Sequence, residues 1–239
     1  MYAFSYHKPT SLKDAAALLS DNPDAKFLSG GHTLLPAMKL RLAGPSDLVD
    51  LNGIAELRGL ERKGDMLSIG ALMRHREVAE SNLVKAAIPT LAEAVGTIGD
   101  PAVRHRGTIG GSIANNDPSA DYAAAALADG EIITQVSFPI PAKAGYSKMP
   151  HPASRFALTG VFVVKTKSGD VRVAATGASS SGVMRVPAIE SALKANWAAS
   201  ALDSVNISAD GLLTDIHGSS TYRANLIKVM AQRAVTAAG

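Results

Sequence analysis

The apolar positions of this chain come in short runs that switch between a period of two and a period near 3.6, the signatures of strand and helix. Tyr2, Phe4 and Tyr6 alternate with smaller residues and predict a strand. A helix follows from Ser11, with Leu12, Ala15, Ala16 and Leu19 on one face and Asp14 completing a capping-box-like start. Lys26-Phe27-Leu28 predicts a buried strand, 34–42 a helix and 47–51 a strand. Residues 57–69 predict a hairpin turning at Lys63-Gly64-Asp65. Helices are expected over 73–80 and 82–95, where Pro89 either opens a new helix or breaks the second in two. A small-residue helix over 120–128 and a strand over 131–138 come next. Pro139, Pro141 and Gly145 then mark a linker or boundary. Beyond it, 160–167 and 171–178 predict a hairpin at Ser168-Gly169-Asp170, followed by helices over 188–196 and 222–238, the last capped by Thr221. The pattern is α+β in two domains, 1–140 and a smaller α+β domain over 141–239. One junction is abrupt: the alanine-rich run ending at Ala128 enters Asp129-Gly130-Glu131 with almost no connection.

Composition narrows the chemistry. The 239 residues are 46% hydrophobic and 19% charged, ample for a globular core. A formal net charge of +3, without aromatic-interleaved basic clusters, argues against nucleic acid as a partner. The absence of cysteine excludes disulfides, thiolate nucleophiles and Cys-ligated clusters in this chain. His7, His32, His75, His105, His151 and His217 are scattered without HxH or HExxH spacing, so no protein-held metal is expected. Residues 1–10 lack the order of a signal peptide, and no apolar run reaches membrane-spanning length. A cytoplasmic protein is the expectation.

Two glycine-rich runs carry the functional signal: Ser29-Gly30-Gly31-His32-Thr33 and Thr108-Ile109-Gly110-Gly111-Ser112. Paired glycines permit positive φ and close approach of a ligand to the main chain, and successive N–H groups can converge on a phosphate. Either run alone reads equally as a tight turn, with Ser29 and Thr33 capping the helix near Leu34. Neither fits GxGxxG, and no Gly-Lys-Ser/Thr exists for a P-loop. Spacing alone therefore points to a phosphate-bearing ligand without naming it.

The fuller motifs carry a resemblance. Leu28 to Pro36 resembles the first flavin motif of the FAD-binding medium subunits of molybdenum hydroxylases, the family of xanthine dehydrogenase and aerobic carbon monoxide dehydrogenase. Arg106 to Asn115 resembles the second, and the similarity continues through Asp117-Pro118-Ser119-Ala120-Asp121 and over nearly the whole chain. The resemblance implies an N-terminal domain of the PCMH type. It also implies an FAD diphosphate wrapped by main-chain N–H groups of Ser29, Gly30, Gly31, His32 and Thr33. Thr108, Ile109, Gly110, Gly111 and Ser112 would form the second half of that cradle. Asp121, Ile133 and Lys148 match flavin-contacting positions, and Ile98 a pocket-lining one. For Ile133 the plain alternative is a core residue, for Lys148 a solvated side chain, and for Asp121 a helix start. His32 in a glycine turn is a packing residue or an acid–base group. Arg104-His105-Arg106 is a solvated face or a dock for an acidic partner.

The family implies electron transfer through FAD to an external acceptor. The molybdenum cofactor would lie in a large partner subunit and [2Fe-2S] clusters in a small one, as a dimer of heterotrimers. The zero cysteine count fits that division. The alternatives are a flavin-free scaffold subunit and a self-contained FAD oxidase; the latter needs a covalent attachment residue and a capping domain. Two departures stand out. Ser112 replaces an asparagine common in relatives, and several tens of residues that relatives carry after about Ala128 are missing.

Overall fold

In the computed structural model of the chain, residues 1–117, 119–121 and 132–239 are described. Residues 122–128 of the helix predicted over 120–128, the start of the predicted strand at Glu131 and the Ala128–Asp129 junction lie outside them.

The first layer alternates strand and helix: β1 (Ser5–His7), α1 (Leu12–Asp21), β2 (Lys26–Leu28), α2 (Leu34–Lys39) and β3 (Asp47–Asp50). The strands are parallel in the order β1-β3-β2, as helix crossovers require. The Ser11 cap forms as expected, its Oγ accepting from the Asp14 N–H at 3.1 Å. Strand β1 is shorter than the Tyr2–Tyr6 alternation predicts, because pairing with β3 starts only at Ser5. Ala15, Ala25, Val49, Ile54, Leu57 and Leu72 form the core of this layer.

The second layer is the antiparallel sheet β4-β5-β6, from β4 (Leu60–Lys63), β5 (Met66–Gly70) and β6 (Gln135–Pro139). Over it pack α3 (His75–Glu80), α4 (Asn82–Ala87) and α5 (Pro89–Gly96) around Leu67, Ile69, Val78, Val84 and Val95. Pro89 opens α5, where its missing N–H costs nothing. Two short helices follow that the hydrophobic pattern did not reveal, α6 (Pro101–Arg106) and α7 (Ile109–Asn115).

The C-terminal sheet is antiparallel, β10-β9-β8-β7, from β7 (Lys143–Pro150), β8 (Ala157–Lys165), β9 (Val171–Thr176) and β10 (Met184–Arg185). Residues 143–150, which begin in the stretch read as a linker or boundary around Gly145, are instead a full strand paired with β8. Helices α8 (Pro187–Ala195) and α9 (Ser220–Ala238) cover one face through Val161, Val163, Val173, Ile189, Leu193, Ile227 and Met230. Ser219 rather than Thr221 caps α9, accepting from the Tyr222 N–H at 3.1 Å.

Candidate functional site

The two glycine runs, 79 residues apart, meet. Ser29 Oγ and Thr108 Oγ1 are hydrogen-bonded at 2.7 Å. A Cβ on Gly30 would stand 2.3 Å from the Arg106 carbonyl oxygen and 2.8 Å from Gly107 Cα, so only glycine lets the backbones approach this closely. Gly31 takes φ +76°, the conformation that glycine tolerates without strain. Asn52 holds the first run from beneath, donating to the Ser29 carbonyl at 2.9 Å, and is itself held by Arg58 at 3.1 Å.

The runs differ in their main-chain donors. Among the described residues, the N–H groups of Gly30, Gly31, His32 and Thr33 donate to no protein acceptor. Thr33 sits at the N-terminal boundary of α2, yet neither its hydroxyl nor that of Ser29 caps the helix. The second run is a capped helix start instead of an open loop. Ile109 N–H donates to the Met73 carbonyl, Gly110 N–H to Ala71, Gly111 N–H to Thr108 Oγ1 and Ser112 N–H to the Thr108 carbonyl. The expectation of free N–H groups from both runs is therefore corrected. The first run offers unpaired donors, while the second supplies a helix N-terminus and two glycine surfaces. Ile109 is fully buried in the second core, and its side chain packs there instead of lining the cleft between the runs.

Between the runs lies a cleft of about 740 Å³ lined by Ser29 to Thr33, Thr108, Gly110, Gly111 and Ser112. Ile98, Asp121 and Ile133 line it too, and Ile133 also packs on the second core, so its two readings are compatible. Lys148 is no solvated lysine. Its side chain is 7% exposed and its ammonium contacts Asp121 Oδ1 at 3.0 Å and the Thr97 carbonyl at 3.0 Å. Tyr146 donates to the same Asp121 oxygen at 2.5 Å, and burial followed by the Asp121 charge pushes the phenol's pKa up. Asp121 thus sits at the cleft wall with its charge balanced from behind by Lys148.

Several lining residues had no signal in the sequence. Phe156, at the end of β7–β8 connection, reaches the cleft from the C-terminal sheet. Phe27 lines it from β2. His75 also lines it, and its imidazolium is pushed down to about 4, chiefly by burial and then by His32 and Arg104. His75 therefore stays neutral where His32 faces solvent at the same cleft.

These features fit FAD. The volume lies in the range of roughly 300–1,000 Å³ typical of cofactor sites. The unpaired N–H groups of the first run beside a second helix N-terminus suit a diphosphate. Apolar walls at Phe27, Leu28, Leu57, Ile98 and Ile133 suit ring systems on either side.

Comparison with known proteins agrees. The family described as the FAD binding domain in molybdopterin dehydrogenase matches residues 2–137. The carbon monoxide dehydrogenase medium chain of Hydrogenophaga pseudoflava is 32% identical, over 98% of this chain and 96% of that one. The nicotine 6-hydroxylase medium subunit of Paenarthrobacter nicotinovorans is 31% identical, over 99% of this chain and 98% of the relative. The crystal structure of quinoline 2-oxidoreductase from Pseudomonas putida 86 superposes with a TM-score of 0.86 at 27% identity, over 99% and 97% of the two chains. The alignment with the Hydrogenophaga protein runs over 280 positions, more than the 239 residues of this chain, so some of those positions have no counterpart here. With its glycine runs joined across one cleft, the chain belongs to the family of FAD-binding medium subunits of molybdenum hydroxylases.

Proposed function

We propose that this chain holds FAD along the cleft between its two glycine runs and serves as the electron-transfer subunit of a molybdenum hydroxylase complex. The observation that carries the placement is the Ser29–Thr108 hydroxyl bond, which locks the unpaired donors of Gly30 to Thr33 beside the α7 N-terminus. When bound, FAD supplies the redox chemistry, accepting and releasing electrons. The chain's own residues bind and orient. Gly30 to Thr33 hold the diphosphate, Gly110 to Ser112 bring the helix start against it, and Ile98, Asp121 and Ile133 line the ring end. Lys148 and Tyr146 hold the Asp121 carboxylate in place.

The domain division at about 140, a large molybdenum-cofactor partner, a small [2Fe-2S] partner, assembly as a dimer of heterotrimers and a cytoplasmic location complete the reading. No helix among the described residues is long and apolar enough to cross a membrane. The decisive test is Gly111→Val in the co-purified complex. A Cβ there meets Thr108 Oγ1 at 2.9 Å and Ser29 at 3.6 Å, across the joined loops. The variant should assemble but lose the visible flavin spectrum; a full spectrum would refute the placement.

A further inference from the structure

The connection between β7 and β8, residues 151–156, belongs to the C-terminal sheet but reaches the wall of the cleft. Phe156 lines it together with Ile98 and Gly99. A Cβ on Gly99 would stand 2.4 Å from Arg155 Cβ, so the stem of Arg155 occupies the space that Gly99 leaves. The turn is shaped by its own histidine. His151 Nδ1 accepts from the Ala153 and Ser154 N–H groups at 3.2 and 3.1 Å, and the His151 N–H donates to the Phe156 carbonyl at 2.8 Å.

Those two donors fix the tautomer. An Nδ1 that accepts two N–H groups carries no proton, so a neutral His151 has its proton on Nε2. That proton points at His217 Nδ1, 3.1 Å away, with the rings edge to face at a centroid distance of 4.2 Å. His217 is anchored in turn. Its N–H donates to Asp215 Oδ1 at 2.9 Å, and Asp215 Oδ2 accepts from Arg223 at 2.7 Å. Arg223 is 2% exposed and also donates to the Leu158 and Gly177 carbonyls. A continuous set of hydrogen bonds therefore runs from the buried root of α9 to the turn that presents Phe156.

We infer that Phe156 forms an apolar wall for the flavin ring and that the His151–His217 pair is the device that positions it. The inference rests on the cleft holding FAD with its ring at the Ile98–Asp121 end. Both rings must be neutral for the pair to form. A proton added at His151 Nδ1 sets three donors against one another in the turn. A proton added at His217 Nδ1 sets it against the His151 Nε2 proton. Either event frees the turn. Besides the two histidines, the charged and titratable groups on the two segments and on the first turn of the helix beneath are Arg155, Asp215, Tyr222 and Arg223; Lys228 and Arg233 lie further along that helix. Asp215 is held well below the ordinary carboxylate range, first by the His217 N–H, so it stays ionised throughout.

The test follows FAD release from the assembled holoenzyme by the recovery of free-flavin fluorescence, with bound-flavin circular dichroism as a second readout. Release from the wild type should speed up roughly tenfold between about pH 7.5 and about pH 5.5, the range in which histidines change charge. His75 is neutral down to about 4 and does not enter that window. His217→Ala should release FAD fast at both pH values, its profile flattened although His32 is unchanged. Phe156→Ala should do the same with an altered flavin dichroism, and Phe156→Tyr should restore both. Wild-type pH dependence in His217→Ala, or wild-type release and dichroism in Phe156→Ala, overturns the inference while leaving FAD binding intact. A wild-type complex without flavin overturns the FAD reading itself and this inference with it.

Discussion

Gly30→Ala is the sharpest test of how the two glycine runs cooperate. The added Cβ would lie 2.3 Å from the Arg106 carbonyl oxygen, 2.8 Å from Gly107 Cα and 3.0 Å from Arg106 carbonyl carbon. All three are backbone atoms, so no flexible side chain can turn aside. Ordinary contact begins near 3.4 Å, so the runs must separate by about 1.1 Å. Movement of that size along the Ser29–Thr108 direction takes their 2.7 Å bond to about 3.8 Å, which is no hydrogen bond. Overpacking of this kind costs about 1–3 kcal/mol, and the lost bond adds about 1 kcal/mol. In the free protein the runs relax apart and release the strain. Binding requires them closed, so the cost falls on affinity. At tenfold per roughly 1.4 kcal/mol, the Kd for FAD should rise about 30- to 700-fold. The assay is equilibrium titration of the flavin-stripped complex, followed by quenching of FAD fluorescence. A Kd within about twofold of wild type would refute the reasoning. Unfolding of the whole chain is not expected, because the added Cβ meets the Arg106 and Gly107 backbone and no core side chain.

Two further outcomes follow from buried charge. Asp121→Ala strands the Lys148 ammonium, whose side chain is only 7% exposed, and should cost about 3–5 kcal/mol in chemical denaturation; a loss below roughly 1 kcal/mol would mean that water reaches the pair. His75 is held neutral in the fold down to about 4, against about 6.5 when unfolded, so the unfolded chain binds the extra proton between these values. Its contribution is present above about pH 6.5 and is lost as pH falls toward 4, by up to roughly 3 kcal/mol. His75→Gln should flatten that part of the stability–pH curve, and an unchanged curve would show that another group sets the acid limb.

Local patterns in the chain carried much of the fold. The Ser11–Asp14 cap, the hairpin at Lys63-Gly64-Asp65 and the break at Pro89 each depend on residues adjacent in sequence, and each forms where the pattern placed it. The motifs around Gly30 and Gly110 named the family because they carry residue identity as well as spacing. Helices α6 and α7 were hidden, since Arg104-His105-Arg106 and the glycines that follow show no amphipathic stripe. The charge state of the site was hidden as well. Lys148 reads as solvated until β7 pairs with β8 and buries it against Asp121. Phe156, His75 and the division of labour between the glycine runs were decided by tertiary structure alone. Which N–H groups are already spent on Met73, Ala71 and Thr108, and which remain for a ligand, depends on contacts between segments far apart in the chain. Sequence by itself determined most of the elements and the cofactor class, because both reside in local residue choice. The shape and polarity of the cleft came only from packing, because burial and hydrogen-bond partners belong to the folded whole.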